Sequence, residues 1–430
     1  MELLPVAVSL MMVVLLFSVY RLSGGLFSLP FLVMVYIGLV YIGTLHFYWT
    51  KSHLTFLFMG GMGVMFLLGV LLADGLVTRK QSNIKFKKIL HNPLSKRPLR
   101  IAIVTSFVIA FGISVYRLMV FGSPLLEGTI YAAGMEAVSG VSNKILYIFG
   151  PPSLLVLSVI CYSVQKTEQG HFYIILTTLT FLSYLGFMVL RGGKSVAVMP
   201  FVLLFIIIYY SGNRIPKKLF ISVFLLGGAL AVIIGGVRIG AFSVPDIVSL
   251  YFERVTSIAA LHLDYVLTEW KTFNSFQYGG TLILEVKRLI AQVTPIPKGP
   301  LYDQLISYMK RGFDPGYVSV LSPEVTFFGM SYVNFGIPGA LIGTISLGFS
   351  VQWLHNNLIN KQNINVFAFS MIVFFMFHML SGIIRRGNLF ITLQTYFLYI
   401  VPSILFIAVI YLSITLPFPN RSIWRQDKTR

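Results

Sequence analysis

The residues of this 430-residue chain best suited to chemistry are cations held in short turns between apolar runs. Arg191-Gly-Gly-Lys194 joins two such runs, Arg238 ends another, and Arg385-Arg386 occupy the last turn. A guanidinium is planar, grips phosphate oxygens bidentately and keeps its charge at any working pH. The glycines between Arg191 and Lys194 also let backbone N–H groups approach the same anion. The pattern points to phosphate binding. Gly193-Lys194-Ser195 is not a nucleotide phosphate loop, because Met188 stands where the first glycine of that motif belongs. His378 precedes Arg385 by seven residues and shares its helix face. A lone histidine in an apolar helix is more often structural than reactive.

The acids gather elsewhere. Between Arg238 and Tyr332 lie eight of the fourteen, among them Asp264, Glu285, Asp303, Asp314 and Glu324. The same stretch carries eight cations, including Arg254, Arg288, Lys298 and Arg311, so its charges balance. Motifs for zinc proteases, thiolate metal sites, serine hydrolases and DxD glycosyltransferases are all absent. Seven histidines are scattered without ligand spacing, so neither a metal nor a cofactor is expected.

Positioning these groups falls to membrane helices. The chain is 56% hydrophobic and 11% charged, with a mean hydropathy of +0.83. That composition belongs to the membrane class. Cys161, the one cysteine, lies in an apolar run, so no disulfide framework exists. The N-terminus lacks a basic leader and cleavage site, and its first helix is expected to be retained. Eleven apolar runs qualify as spans: 3–20, 27–45, 54–72, 101–119, 145–164, 172–190, 195–211, 219–237, 332–354, 364–383 and 389–415.

The net charge of +19 suggests nucleic acid until its distribution is examined. Arg79–Arg100 holds eight Lys/Arg and no acid, which places it in the cytoplasm by the positive-inside rule. Alternation then puts eighteen basic residues in cytoplasmic segments and seven in short outer ones. Basicity here reports topology, not a nucleic-acid partner. The N-terminus is expected outside and the C-terminus inside. Arg191, Lys194, Arg385 and Arg386 fall on the outer side, where the rule disfavours cations, which argues against simple snorkelling of helix-end charges.

Three regions follow: spans 1–8 over 1–237, an outer cap loop over 238–331, and spans 9–11 with the tail over 332–430. The expected fold is an all-α membrane protein with a helical cap. Tyr251, Val255, Ile258, Leu261 and Tyr265 form one stripe of a cap helix, opposite Glu253, Ser257 and Asp264. Further helical pieces are expected over 281–293 and 302–310, each stopped by Pro or Gly. Gly339 and Gly343 make a small-xxx-small pair suited to close helix packing in span nine.

Tyr278-Gly-Gly-Thr281, Thr294-Pro-Ile-Pro-Lys-Gly-Pro300, Ser322-Pro-Glu-Val325 and Tyr332-Val-Asn-Phe-Gly-Ile-Pro-Gly339, closing with Gly343 and Gly348, resemble the O-antigen polymerase (Wzy-type) family. The likeness covers the whole chain in architecture and about 190–350 in motifs. Pro-Lys stands where Pro-Arg is commoner, and the RX10G pattern of some members is absent. The resemblance implies a fold similar to GT-C glycosyltransferases in the bacterial inner membrane. It also implies polymerisation of surface polysaccharide, such as that of lipopolysaccharide, from repeat units on undecaprenyl diphosphate. Arg191, Lys194, Arg238, Arg385 and Arg386 would stabilise the departing diphosphate in place of a metal. Glu324 would act as base, with Asp303 and Asp314 as alternatives. Arg254, Arg288, Lys298, Arg311 and His378 would join substrate binding, and Tyr332 and Asn334 would bind sugar hydroxyls or anchor span nine. Partners would be lipid-linked oligosaccharide and membrane lipid, with a chain-length regulator as a candidate. An O-antigen ligase and an oligosaccharide flippase are the rivals; missing internal repeats and the charged cap count against the flippase.

Overall fold

The computed structural model describes residues 3–48, 53–76, 85–86, 96–123, 145–146, 148–168, 170–190, 194–212, 217–239, 244–270, 276–290, 325–360, 363–384, 387 and 389–415. Those residues are almost wholly helical, with two-residue strands at Lys85–Phe86 and Asn363–Ile364. Apolar runs that must enter a bilayer have to satisfy their backbone groups internally, and a helix does so within one segment. In chain order the helices are α1 (Leu3–Ser23), α2 (Leu29–Tyr48), α3 (His53–Leu76), α4 (Lys96–Phe121), α5 (Pro151–Glu168), α6 (His171–Leu190) and α7 (Lys194–Tyr210). There follow α8 (Lys217–Ile239), α9 (Val244–Thr268), α10 (Gly280–Ile290), α11 (Thr326–Asn360), α12 (Val366–His378), α13 (Leu389–Thr395) and α14 (Val401–Thr415). π-helical turns at Met379–Ile384 and Tyr396–Ile400 extend α12 and precede α14.

Helix lies at all eleven places where a span is expected. Among the described residues seven helices are long and apolar enough to cross a membrane, which makes this a multi-pass membrane protein. The expected span 145–164 is realised chiefly as α5, which is less apolar because serines punctuate it. Ser158 and Ser163 donate to the carbonyls of Leu155 and Val159, so their hydroxyls are satisfied within the helix.

The chain divides into two units. The first comprises Met1–Lys85, Phe201–Gln362 and Val373–Tyr396. Its spine is the crossing of α3 with α11. A Cβ on Gly69 would overlap Ile345 O, and one on Gly348 would overlap Phe66 O, so two backbones meet directly. The same device brings α2 onto α9, where Gly43 abuts the Thr256 carbonyl. Close approach of this kind is how helices gain dispersion energy in lipid, where apolar burial alone gives none.

The second unit comprises Phe86–Pro200, Asn363–Ile372 and Phe397–Arg430. Here α5 is sheathed by α4, α6 and α14 and is buried along most of its length. Arg100, near the start of α4, lies over the rings of Phe172 and Tyr173 at 5.4 and 5.9 Å from their centroids.

Two expectations change in the first unit. The polar stripe of α9 does not face outward at Asp264. Asp264, assigned to that stripe, is buried and accepts a hydrogen bond from Thr55 of α3, and His262 is buried beside it. The small Ala260 lets α2 close over this helix at Gly43. Span nine is also longer than the apolar run 332–354, reaching from Thr326 to Asn360. At its polar end His355 and Asn356 are buried and find partners in Tyr210 and the half-buried Asp74.

Candidate functional site

Helix α11 bends where Gly336 takes φ +67°, ψ −158°, two residues before Pro338. Proline has no N–H, so the Asn334 carbonyl loses its helical donor, and the turn at Gly336 breaks the bond that Val333 O would accept. Both carbonyls are buried in the bundle and require partners. The segment entering α10 provides them. Tyr278 N–H donates to Asn334 O at 2.8 Å and Gln277 N–H to Val333 O at 3.1 Å. Phe276 places its ring 3.0 Å from where a Gly336 Cβ would lie, so only glycine fits there.

Asn334 completes the join with its side chain. Its Oδ1 accepts from Gly279 N–H (3.1 Å) and Thr281 N–H (3.4 Å), at the start of α10. Its Nδ2 donates to Thr281 Oγ1 (2.6 Å) and Met330 O (2.8 Å). Two donors and two acceptor sites exhaust the amide. A side chain so committed positions α10 against α11. Tyr332 is likewise packed rather than offered, its ring meeting Phe58 and Phe276 edge-on at 6.2 and 5.8 Å.

The glycine pair of α11 also departs from expectation. Gly339 and Gly343 face Ser331, Phe335 and Phe327 of their own bent helix, not a neighbouring helix. They form the floor of a groove of about 460 Å³. Thr281 and Leu282 of α10 border it on one side, and Gly387 and Leu389 on another. Gly387, at φ +72°, is pressed against Thr326 O and Met330, which docks the last turn on the start of α11. Backbone strain concentrates here. The two non-glycine residues of positive φ among those described, Tyr278 (44°) and Thr326 (63°), flank this assembly. Strained backbone persists only where surrounding contacts enforce it, and functional sites are its usual place.

His378 closes α12. Its Nδ1 bonds the Phe374 carbonyl at 3.0 Å, and since a carbonyl only accepts, Nδ1 carries the proton. The ring packs against Phe377 and Tyr396.

Several expected site residues lie outside the described residues: Arg191, Lys298, Arg311, Glu324, Arg385 and Arg386, with the alternatives Asp303 and Asp314 and the helix expected over 302–310. Lys194 opens α7, Arg238 falls in the last turn of α8, Arg254 lies within α9 and Arg288 within α10; their side chains are outside the description. The described acids of the expected cap are instead Asp264 and Glu285, 7% and 4% exposed, and Glu269, which is exposed. Sequence reasoning passed over the buried two as loop acids. The signal for Asp264 was the adjacent Ala259-Ala260, which marks a packed face.

Further along α11 is a second polar set. Gln352 Nε2 donates to Asp74 Oδ1 (3.3 Å) and Asn356 Oδ1 (3.0 Å), and Asn356 Nδ2 to Asp74 Oδ1 (3.4 Å). Tyr210 Oη accepts from Leu29 N–H (3.1 Å) and shares a hydrogen bond with His355 Nδ1 (2.8 Å). Among the described residues no group of three or more His, Cys, Asp or Glu is gathered as a metal would require. No family model, curated protein or solved structure matches the chain.

Proposed function

We propose that this protein is a glycan polymerase of the bacterial inner membrane. It transfers a growing chain from undecaprenyl diphosphate to a repeat unit on a second carrier. The observation that carries the reading is the groove beside the bend of α11. There the start of α10, the bent helix and the turn following Arg385-Arg386 meet at one place. A lipid-diphosphate enzyme needs an apolar groove, and in this reading Arg385-Arg386, which precede Gly387 in the sequence, would bring positive charge to it. The family resemblance of Tyr332–Gly339, which contains the bend, supports the same assignment.

In this reading there are eleven spans, the N-terminus and the 238–331 cap are periplasmic, and the basic loop 79–100 is cytoplasmic. The acceptor hydroxyl attacks the anomeric carbon of the donor glycan. A C–O bond to the acceptor forms, the bond to the diphosphate oxygen breaks, and the hydroxyl proton passes to Glu324. Negative charge builds on the departing oxygen. Arg191, Lys194, Arg238 and Arg385-Arg386 take it up, each such contact being worth about 3–4 kcal/mol to the transition state. Arg254, Arg288, Lys298 and Arg311 hold the charged and hydroxylated substrate under the cap. Asn334 acts one step removed, by fixing α10 to the bend.

Purified protein with lipid-linked repeat units, and without nucleotide sugar or magnesium, should produce a ladder of products. Single transfer to a lipid A core acceptor would make it a ligase instead. Arg191→Ala or Arg238→Ala should abolish extension while leaving folded protein. Loss of activity in EDTA with rescue by magnesium would overturn the arginine-for-metal role.

A further inference from the structure

One end of the second unit gathers groups that donate to an anion. α4 and α6 run parallel there. Arg100 of α4 lies against Phe172 and Tyr173 of α6, and further along the same two helices Phe111 meets Phe187 at 5.6 Å. The two helices therefore begin together, beside the end of α5. The positive ends of two helix dipoles meet at this place. Arg97 and Arg100 add cations near the start of α4, where a helix favours acids and where an anion would relieve the conflict. Among the charged side chains described at this end, Arg97, Arg100 and Lys166 outnumber the one acid, Glu168.

Tyr173 points to a ligand. It is 1% exposed, yet its hydroxyl has no hydrogen-bond partner among the described residues. Buried hydroxyls are nearly always bonded. The neighbouring Arg100 guanidinium carries only donors, so the phenol proton still lacks an acceptor. Arg100 itself is exposed, held over the two aromatic rings, and bonds no carboxylate among the described residues. Such stacking fixes the plane of a guanidinium and leaves its N–H edge available. An oxyanion at that edge receives bonds from Arg100 and from the Tyr173 hydroxyl together.

Past Arg100 the surface turns apolar. Val104, Val108 and Phe111 continue its stripe along α4, Ile175 and Leu179 continue that of Phe172 along α6, and all are exposed. The apolar span Arg97–Phe121 begins at the same level, so Arg100 stands at the height of lipid headgroups. From Arg100 to Phe111 the helix rises about 16 Å, close to half of a hydrocarbon core about 30 Å thick. The seam thus pairs an anion site with an apolar track one leaflet deep, closed by the Phe111–Phe187 contact. A soluble phosphate would use only the first of these. We infer that the α4–α6 seam binds an anionic phospholipid, its phosphodiester at Arg100 and the Tyr173 hydroxyl and an acyl chain along Val104, Val108 and Leu179. The inference is independent of the polymerase reading, and its occupant is a lipid of the bilayer, not a substrate.

The test uses the full chain in phosphatidylcholine nanodiscs doped with phosphatidylglycerol whose acyl chain carries a photoreactive group. Labelled peptides are mapped by mass spectrometry. Labelling should concentrate on α4 between Arg100 and Phe111 and on α6 between Phe172 and Leu179. Arg100→Gln should reduce it about tenfold, and so should Tyr173→Phe, which removes only the hydroxyl. Arg21→Gln deletes the same charge at an exposed helix end of the first unit and should leave it unchanged. In pure phosphatidylcholine, Tyr173→Phe should melt no lower than wild type, because the lost donor has no partner there. Added phosphatidylglycerol should raise the Tm of wild type more than that of the variant. Equal labelling of the seam by a photoreactive phosphatidylcholine, or undiminished labelling in both variants, would overturn the site. A Tyr173→Phe protein that loses Tm in phosphatidylcholine but keeps its labelling would make the hydroxyl structural and would also overturn it. Complete displacement by millimolar inorganic phosphate would mark the site of a soluble anion and end the lipid assignment.

Discussion

Beyond its bend, α11 uses glycine in opposite ways on two faces. Gly348 meets Gly69's helix so closely that carbonyl oxygens stand where side chains would be. Gly339 and Gly343 border a groove into which no other described helix packs at their positions. Both sets sit in apolar sequence at helical spacing. What separates them is the helix face, since the five residues from Gly343 to Gly348 turn the helix by about 140°. The polar residues follow the same division. At the far end Gln352 and Asn356 donate to the Asp74 carboxylate, whereas at the bend the Asn334 side chain ties the start of α10 to α11. A small residue or an amide has no fixed meaning until its neighbour is known.

The contrast can be broken most severely at the crossing. Gly348→Ala sets a methyl against the Phe66 carbonyl, where only backbone could yield. Overpacking of this kind costs about 1–3 kcal/mol and occasionally more. Recovery of monodisperse protein and its Tm should fall sharply, and wild-type behaviour would mean the crossing is looser than described. Next in size is Asn334→Ala, which strands the Gly279 and Thr281 amides and the Met330 carbonyl. A buried group left unpaired costs about 1–3 kcal/mol. Hydrogen exchange at Gly279–Thr281 should accelerate more than in the rest of α10; uniform acceleration would deny Asn334 its local role.

Pro338→Ala sharpens the same point with a smaller effect. It restores an N–H that competes with Tyr278 for the Asn334 carbonyl. Exchange at Tyr278 should quicken while Tm moves by about 1 kcal/mol or less in stability terms. Smallest is Gly343→Ala. The added carbon would lie 3.1 Å from Ser331 Oγ, a side chain able to move, and alanine is the better helix former. Stability should stay within about 1 kcal/mol of wild type. A Gly343→Ala protein as damaged as Gly348→Ala would erase the distinction between groove and crossing.

Much of the helical framework was legible beforehand, and for a physical reason. Long apolar runs in a bilayer have one cheap way to satisfy their backbone, so run length reports helix position. The start of α10 and the existence of α9 were also readable from the pattern. Asp264 was not. Its spacing marked a polar stripe correctly, but spacing says nothing of what packs against that stripe, and α3 supplies Thr55 there. For Asn334 the sequence offered two roles, sugar binding or anchoring of span nine, and the groups it bonds, Gly279 and Thr281, lie far earlier in the chain.

Composition and patterning alone established a multi-pass, all-helical membrane protein, the asymmetry of its charge, and the stretches where cations and acids collect. Those follow from one-dimensional quantities: run length, period and the count of charges per loop. Only the tertiary structure decided which glycines are contacts and which are vacancies, where the orphaned carbonyls of α11 find donors, and that Asp264 lies inside. Each of these depends on a partner that is distant in the chain, and a pattern carries no address for its partner.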